Sequence, residues 1–416
     1  MSSTTLLRQV RVLDVERGFL GDITDVLVRN GRIDKIGADA RATDADTHTI
    51  DAGGRTLMPG LIDLHVHVIA VDMNLGRQVG LPNVFVLLRA IPILEGMLMR
   101  GFTSVRDAGG AERALADAVA SGLARGPRLF VCGRALSQTG GHGDFRARSD
   151  HLPMIESCAC SSRIGAIARV VDGVDEVRKA VREELQMGAH QIKVMASGGV
   201  ASPADPIYAF GYSLDELRAI VEEASARRTY VMAHAYTPEA IIRAVECGVR
   251  TIEHGNLVDA KAAAVMARHG AYAVPTLITY RALIEQGPSL GLPPDSVEKA
   301  YGVLNQGVQA LQILDEAGVQ IGFGSDLLGE THSRQSEEFL IRSQVLPAQK
   351  VLASATTVAA RVLQMEGQLG VVAEGAMADL LVVDGNPLES LECLAHPEDS
   401  LRLIMKDGVI QKRQGL

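Results

Sequence analysis

The middle of the chain, from residue 58 to residue 364, alternates between short apolar segments typical of buried strands and segments with helical periodicity. The candidate strands are Leu57 to His67, Thr103 to Asp107, Leu129 to Cys132, Gln191 to Ala196, Tyr230 to His234, Thr251 to His254, Tyr272 to Thr276 and Gln320 to Asp326. The clearest helical segments are Val174 to Met187, Leu214 to Arg227, Pro238 to Cys247 and Ala260 to His269. Eight strand–helix units predict an α/β protein with a (β/α)8 TIM-like barrel and enlarged loops. A doubly wound open sheet is the alternative, although no Gly-x-Gly-x-x-Gly motif follows the first strand.

The two ends of the chain have a different pattern, which is rich in β-hairpins. Asn30-Gly31 and Asp407-Gly408 are typical tight-turn dipeptides, and each lies between two apolar segments. The candidate strands at the ends are Leu6 to Val15, Asp25 to Gly37, Asp379 to Asp384, Leu401 to Met405 and Val409 to Gln411. Neither end is long enough to bury a core alone. We therefore expect residues 1–57 and 365–416 to form one discontinuous β-sandwich domain beside a barrel domain at residues 58–364.

Charge and apolar content exclude several classes of protein. The chain has 416 residues and a formal net charge of -9, and it lacks the basic stripe that nucleic acids or anionic membranes require. No apolar run reaches the length that spans a membrane, and no signal peptide is apparent. The five cysteines are Cys132, Cys158, Cys160, Cys247 and Cys393. An odd number without a Cys-x-x-Cys pair predicts free thiols and a cytoplasmic protein, with Cys158 and Cys160 in a long loop.

The first candidate strand of the middle region ends in His65-Val66-His67. Residues two apart on a strand face the same side, so both imidazoles would point into one space. Two imidazoles that share a space can hold one metal ion. The alternative is that His65 and His67 are ordinary polar residues at a strand end. The metal site is favoured only if the chain supplies further ligands.

Other candidate strands also end in residues that can bind a metal. In a barrel, the carboxyl ends of the strands carry the chemistry. His234 and His254 are twenty residues apart, which places them at equivalent points of successive strand–helix units. Lys193 lies within the fourth strand, and Asp326 follows the eighth. The repeated placement of ligand types at strand ends favours a metal site over isolated core histidines.

Five motifs of the chain resemble those of the amidohydrolase superfamily, and specifically its binuclear metal-dependent hydrolases. They are Pro59-Gly60-Leu61-Ile62-Asp63-Leu64-His65-Val66-His67, Ile192-Lys193-Val194-Met195-Ala196-Ser197-Gly198-Gly199, Ala233-His234-Ala235-Tyr236, Ile252-Glu253-His254-Gly255 and Gly324-Ser325-Asp326. The resemblance extends over nearly the whole chain, including the divided β-sandwich. Within the superfamily, the motifs look most similar to those of the Xaa-Pro dipeptidase and carboxypeptidase branch, to which ochratoxin-type amidases are related.

The resemblance implies two divalent metal ions, for which imidazole-rich ligation favours Zn2+. His65, His67 and Asp326 would hold one ion, and His234 and His254 the other. Lys193, carboxylated by CO2, would bridge the two ions with two anionic oxygens. An ion pair between Lys193 and a neighbouring carboxylate is the alternative. Asp63 has the strand parity of His65, and we expect it either to orient an imidazole or to be a plain strand-end carboxylate.

The implied reaction is hydrolysis of an amide bond next to a free C-terminal amino acid, in Xaa-Pro or other dipeptides or in N-acyl amino acids. A metal-bridging hydroxide would attack the carbonyl, and Asp326 would be the proton shuttle. The resemblance also implies a homo-oligomer. A deaminase or cyclic-amide hydrolase on the same barrel is the alternative enzyme, and a non-catalytic scaffold is the alternative of another class.

Substrate recognition is expected in the long loops that follow the strands. The segment from Arg134 to Arg169 shows no clear periodicity, and loops of such length are usually functional or disordered. It contains His142, which we expect to bind the substrate, together with Arg146 and Arg148, which are either carboxylate clamps or solvated charges. Tyr236 directly follows a candidate ligand and could donate its hydroxyl to the substrate. Ser197 to Tyr212 and Leu327 to Glu338 would complete the rim, with Ser197 as a further hydrogen-bond donor.

Overall fold

The computed structural model describes residues 4–41, 46–146, 165–202, 205–292 and 294–416. Its strands are β1 (Thr4–Asp14), β2 (Phe19–Arg29), β3 (Arg32–Ile36), β4 (His48–Asp51), β5 (Thr56–Pro59), β6 (Leu61–Val66), β7 (Phe102–Asp107), β8 (Arg128–Phe130), β9 (Ala135–Ser137), β10 (Ala168–Val170), β11 (Ile192–Met195), β12 (Val231–Ala235), β13 (Thr251–His254), β14 (Tyr272–Val274), β15 (Leu380–Val383), β16 (Leu401–Lys406) and β17 (Val409–Arg413). Cys132, Cys247 and Cys393 are free thiols, as predicted, whereas Cys158 and Cys160 lie outside the described residues.

The helices are α1 (Leu75–Gln78), α2 (Asn83–Met99), α3 (Arg113–Ala120), α4 (Val174–Gln186), α5 (Leu214–Ala226), α6 (Pro238–Glu246), α7 (Ala260–His269), α8 (Ile278–Leu290), α9 (Pro294–Glu316), α10 (Glu338–Arg342), α11 (Ala348–Ser354), α12 (Thr357–Val362), α13 (Glu392–Ala395) and α14 (Pro397–Ser400), with a 3-10 helix at Gly329–Glu337. The four predicted helices are confirmed to within a residue at each end as α4 to α7. Within the described ranges, no helix combines the length and the apolarity needed to cross a membrane.

Strands from both chain ends pair into one sheet in the order β17-β16-β15-β5-β1-β2-β3, with β4 added beside β1. The two predicted hairpins are confirmed, because β2 pairs with β3 and β16 with β17 in antiparallel fashion. The φ angles are 53° at Asn30 and 75° at Gly31, and 52° at Asp407 and 74° at Gly408. A type I′ turn requires such positive φ angles at both central residues. We predicted a sandwich, which has two sheets, whereas the eight strands of the structure form one continuous hydrogen-bonded sheet.

Strand β15 shows that the two faces of this sheet pack into two different apolar cores. Leu380 and Val382 belong to the small apolar core of the sheet, whereas Leu381 and Val383 belong to the main core of the chain. Successive strand residues point to opposite faces, so an unbroken apolar run marks a strand that is buried on both sides. The sheet is therefore packed directly against the middle of the chain.

The middle of the chain contains two parallel sheets, ordered β6-β7-β8 and β10-β9-β11-β12-β13-β14. Strand β9 and the first two residues of β10 fall in the segment from Arg134 to Arg169, for which we predicted a loop, so this part of the prediction is wrong. Each strand has three residues, which is too short to show a period of two in sequence. They become recognisable only through the parallel pairing of β9 with β10 on one side and with β11 on the other.

Two strands predicted for the middle of the chain differ from the structure by more than one or two residues at an end. The segment from Leu57 to His67 is divided at Gly60, with β5 in the terminal sheet and β6 in a parallel sheet. A Cβ atom at residue 60 would overlap Thr103, so only glycine allows this close approach. The segment from Gln320 to Asp326 forms an isolated bridge between Ile321 and Ala273 and then hydrogen bonds to the carbonyl oxygen of His65.

Candidate active site

The carboxyl ends of the parallel strands surround one cavity. All eight residues predicted for metal or substrate binding line it, namely His65, His67, His142, Lys193, His234, Tyr236, His254 and Asp326. Several of these residues are far apart in the sequence but lie on strands that are neighbours in one sheet. For example, Met195 of β11 pairs with His234 of β12, and Ala235 of β12 pairs with His254 of β13. The parallel pairing thus collects ligand types that the sequence separates.

The tightest group of potential metal ligands consists of His65, His254 and Asp326, whose ligand atoms all lie within 4.8 Å of one another. Asp326 Oδ1 lies 3.5 Å from His65 Nε2 and 3.4 Å from His67 Nε2. The Nε2 atom of His65 is buried without a hydrogen-bond partner, which is a costly state unless a ligand satisfies it. The geometry of this group therefore suits a bound cation.

His234 and His254 form the other side of the cavity. Their ring centroids are 4.5 Å apart, and His254 Nδ1 lies 2.8 Å from the hydroxyl oxygen of Thr276. His234 Nε2 lies 3.2 Å from the carbonyl oxygen of Gly198. Lys193 is 1% exposed and lines the same cavity from β11. All six predicted ligands thus share one buried space.

The backbone has a left-handed conformation at two of these residues. The φ angle is 70° at His254 and 53° at Asp326, values that residues other than glycine adopt rarely. Such strained positions occur mainly at functional sites, where the surrounding structure holds them. The left-handed backbone gives the side chains of His254 and Asp326 directions that regular strand alternation would not give.

Burial controls the protonation of the site. It lowers the pKa of His65 and His234 well below the ordinary value and that of His254 to about 3, so these imidazoles are neutral and keep a lone pair for a metal. Burial also lowers the pKa of Lys193. For Asp326, burial alone would raise the pKa, but the adjacent histidines outweigh it and lower the pKa below its usual range.

His142 stacks on the ring of His234 at a centroid distance of 4.2 Å. Its Nδ1 atom lies 2.9 Å from the hydroxyl oxygen of Ser202, which also contacts Asp205. The backbone of Gly199 approaches the His142 imidazole so closely that a Cβ atom there would overlap the ring. The loops that contain residues 142 and 199 therefore cover the candidate ligands together.

Tyr236 contacts a residue that the sequence did not single out. Its hydroxyl oxygen lies 2.6 Å from that of Tyr280, which in turn lies 3.2 Å from His254 Nδ1. Tyr280 lines the cavity from the first turn of α8. The sequence did contain a signal for Tyr280, because it follows the seventh candidate strand, Tyr272 to Thr276, and residues after such strands belong to the same end of the fold.

Several other predicted contacts differ in the structure. Arg146 is bound by Asp144 at 2.7 and 2.6 Å, whereas Arg148 lies outside the described residues. Ser197 donates to the Gly198 carbonyl and accepts from the Tyr236 backbone, so it supports the loop itself. Asp63 accepts hydrogen bonds from Ser325, Gln335 and the backbone of His65 instead of orienting an imidazole. The carboxylate that contacts the ring of His65 is Glu253.

Replacing Gly199 by alanine is expected to lower kcat/KM while metal content stays unchanged, because the new methyl group would displace His142. Misplacing a substrate-positioning group by about 1 Å can reduce the rate by about 100-fold. Kinetics and metal analysis of the purified variant measure both effects. Gly302→Ala is the matched control, since its Cβ would meet no atom within 4 Å, and a wild-type rate for Gly199→Ala would contradict the role of His142.

A model of the amidohydrolase family matches residues 56–412 of this chain. Ochratoxinase from Aspergillus niger is 30% identical over 368 residues, which cover 86% of this chain and 76% of that protein. The crystal structure of a prolidase complexed with N-methylphosphonate-L-proline is 55% identical, with a TM-score of 0.95 over 99% of this chain and 100% of the other. A Xaa-Pro dipeptidase with bound methionine is 29% identical, with a TM-score of 0.86 over 99% and 100% of the two chains.

Proposed function

The chain belongs to the amidohydrolase family, and we propose that it hydrolyses the amide bond next to a free C-terminal amino acid, in Xaa-Pro or other dipeptides or in N-acyl amino acids. That it is a hydrolase of amide or peptide bonds follows from the family and from its prolidase and dipeptidase neighbours. The predicted resemblance to the Xaa-Pro dipeptidase branch and to ochratoxin-type amidases is thereby confirmed.

Support for metal-dependent chemistry comes from the convergence of six ligand-type side chains on one buried cavity. We propose that His65, His67 and Asp326 hold one divalent ion and that His234 and His254 hold a second. The unsatisfied Nε2 atom of His65 and the lowered pKa of His65, His234 and His254 fit this assignment. Bound divalent ions would lower the pKa of a coordinated water and polarise the scissile carbonyl. Four imidazoles with carboxylates favour Zn2+.

We propose that Lys193 is carboxylated and bridges the two ions. The carbamate forms when a neutral amine adds to CO2 and releases a proton, and burial favours the neutral amine of Lys193 by lowering its pKa. An ammonium group would repel the two cations, whereas a carbamate offers two anionic oxygens to them. The proposal is supported by the position of Lys193, which lines the same cavity as the other five proposed ligands.

Asp326 is assigned the proton transfers. Its carboxylate lies among the imidazoles of His65, His67 and His254, and its pKa lies below the usual range, so it is ionised and can accept a proton. It would take the proton from the attacking water and deliver it to the leaving nitrogen of the amide. A positioned acid–base group of this kind contributes roughly 10²–10⁴-fold to the rate.

The substrate is proposed to lie between the two covering loops. His142 and Tyr236 both line the cavity, and Tyr280 adds a second hydroxyl beside Tyr236. The remaining wall is largely apolar and includes Leu75, Phe145, Ile167, Leu283 and Leu328. An apolar wall with few polar groups suits a small amino acid derivative with an apolar side chain.

We also propose that the two parallel sheets close into one (β/α)8 barrel, at residues 58–364, and that residues 1–57 and 365–416 form a second domain. Backbone hydrogen bonds support closure, because Leu64 donates to Phe323 and Ala273 donates to Gln320, which links β6 to β14 through the segment after α9. Assembly into a homo-oligomer remains a prediction.

Turnover of defined substrates by Zn2+-loaded protein tests the proposed activity. We expect measurable kcat/KM for Xaa-Pro dipeptides or N-acyl amino acids and a large loss of activity after chelation of the metal. The same compounds with the C-terminal carboxylate converted to an amide are the matched controls and should be poorer substrates. Equal turnover of both series would contradict recognition of a free C-terminal amino acid, and inactivity on the whole set would contradict the substrate class.

A further inference from the structure

A buried line of polar contacts leads from Arg106 through Glu253 to His65. His65 Nδ1 lies 2.7 Å from Glu253 Oε2, and Arg106 Nη2 donates to both carboxylate oxygens of Glu253 at 2.8 and 3.0 Å. The side chains of all three residues are at most 1% exposed. They lie on β6, β7 and β13, so the backbones of three strands hold these side chains in position.

Other contacts hold both charged members of the line. Arg106 Nε donates to the Leu64 carbonyl at 2.6 Å, and Arg106 Nη1 donates to the hydroxyl oxygen of Thr251 at 3.2 Å. That hydroxyl donates in turn to Glu253 Oε1 at 2.5 Å. A buried carboxylate is stable when a cation and hydrogen-bond donors compensate its charge, as they do here. Glu253 therefore faces His65 with its carboxyl group held in place by Arg106 and Thr251.

A carboxyl oxygen that accepts at Nδ1 determines where the proton of a neutral imidazole lies. The acceptor oxygen of Glu253 requires a hydrogen on His65 Nδ1, which leaves the lone pair on Nε2. This Nε2 atom is the one that is buried without a partner, 3.5 Å from Asp326 Oδ1. A carboxylate on the remote nitrogen also makes the imidazole a stronger donor to a metal.

We propose that Glu253, held by Arg106, is a positioning residue that fixes the Nδ1–H tautomer of His65 and aims its Nε2 atom at the metal. This inference rests on the metal site of the proposed function. The Nδ1 atoms of His67 and His254 lie instead 3.0 Å from the Gly109 carbonyl oxygen and 2.8 Å from the Thr276 hydroxyl oxygen, neither of which belongs to a carboxylate. His65 is therefore the ligand that receives the added negative charge.

The left-handed backbone at His254 makes this arrangement possible. Glu253 and His254 are consecutive, and regular strand alternation would direct them to opposite faces. Instead, Glu253 contacts the Nδ1 side of His65, while the ring of His254 lies 4.8 Å from that of His65 by centroid distance. The φ angle of 70° at His254 departs from a regular strand at this point. One strand end thus supplies a proposed ligand and the partner of another.

Glu253→Gln in the full chain tests the proposal through metal binding. We expect the affinity for Zn2+, measured by competition with a chelator, to fall by about 10–100-fold, the usual effect of removing an outer partner of a ligand. Glu184→Gln is the matched control, because Glu184, on α4, is 1% exposed and is paired with Arg169 of β10. The control should keep wild-type affinity, and an equal loss in both variants would overturn the proposal.

Nitrogen-15 NMR of histidine-labelled protein gives a second readout that does not depend on activity. In the wild type, we expect one Nδ1–H signal that is absent in His65→Gln and displaced in Glu253→Gln. An Nε2–H tautomer at His65 would overturn the proposal. Failure of the wild type to bind Zn2+ would instead contradict the proposed function, while the tautomer measurement would remain valid.

Glu253→Gln leaves the buried guanidinium of Arg106 without its counter-charge and could therefore destabilise the fold. A second variant tests the proposal without this unpaired charge. The double variant Arg106→Met with Glu253→Gln removes both charges together, which folded proteins often tolerate. We expect the same 10–100-fold loss of Zn2+ affinity as in the single variant. Wild-type affinity and an unchanged His65 signal in the double variant would overturn the proposal.

Discussion

Lys193→Ala is expected to reduce the metal content from two ions per chain to one or fewer and to lower kcat/KM by more than about 100-fold. Removal of an outer partner of a metal ligand typically costs about 10–100-fold, so loss of a ligand shared by two ions should cost more. Alanine offers no oxygen in place of the proposed carbamate. Metal analysis of the purified variant, together with steady-state kinetics, measures both quantities.

Chemical rescue of Lys193→Ala by short carboxylic acids provides a second test of the bridging assignment. Acetate or propionate added to Lys193→Ala could supply the missing oxygens, and partial recovery of metal and activity is expected. Lys406→Ala is the matched control, because Lys406 is a half-buried lysine of β16 whose Nζ donates to the Gly126 carbonyl, away from the cavity. A variant at Lys193 with two tightly bound ions and full activity would contradict the bridging assignment.

Asp326→Asn is expected to lower kcat by about 10²–10⁴-fold, the range for removal of a general acid–base group. Asparagine keeps the shape of the side chain but cannot accept the proton of the attacking water. Metal affinity should also fall, because an amide oxygen is a weaker ligand than a carboxylate. Measuring kcat at saturating Zn2+ separates the loss of proton transfer from the loss of metal.

Asp379→Asn is the control for this prediction. Asp379 is a buried carboxylate bound by Arg128 at 2.6 Å, at the junction with the terminal sheet. Its replacement should affect stability and leave kcat at saturating metal close to that of the wild type. Near-normal turnover of Asp326→Asn under the same conditions would remove Asp326 from the proton-transfer role.

Much of the fold could be predicted because it depends on local patterns. Helices α4 to α7 follow from apolar residues at intervals of three and four, and both hairpins follow from dipeptides that tolerate positive φ. Strands of three residues, such as β9 and β10, carry too little pattern to be recognised. The bend at Gly60 also escaped prediction, because it depends on the close approach of Thr103.

The sequence by itself determined which residue types stand at the strand ends, and His65, His67, Lys193, His234, His254 and Asp326 do share one cavity. Parallel strands bring their carboxyl ends together whatever the loops do, so this part of the site follows from strand order. Only the tertiary structure decided how each ring is held. Glu253 reaches His65 across 188 residues, and Tyr280 reaches His254 from a neighbouring helix. These contacts depend on sheet register and on a left-handed backbone at one strand end, neither of which leaves a local pattern in the sequence.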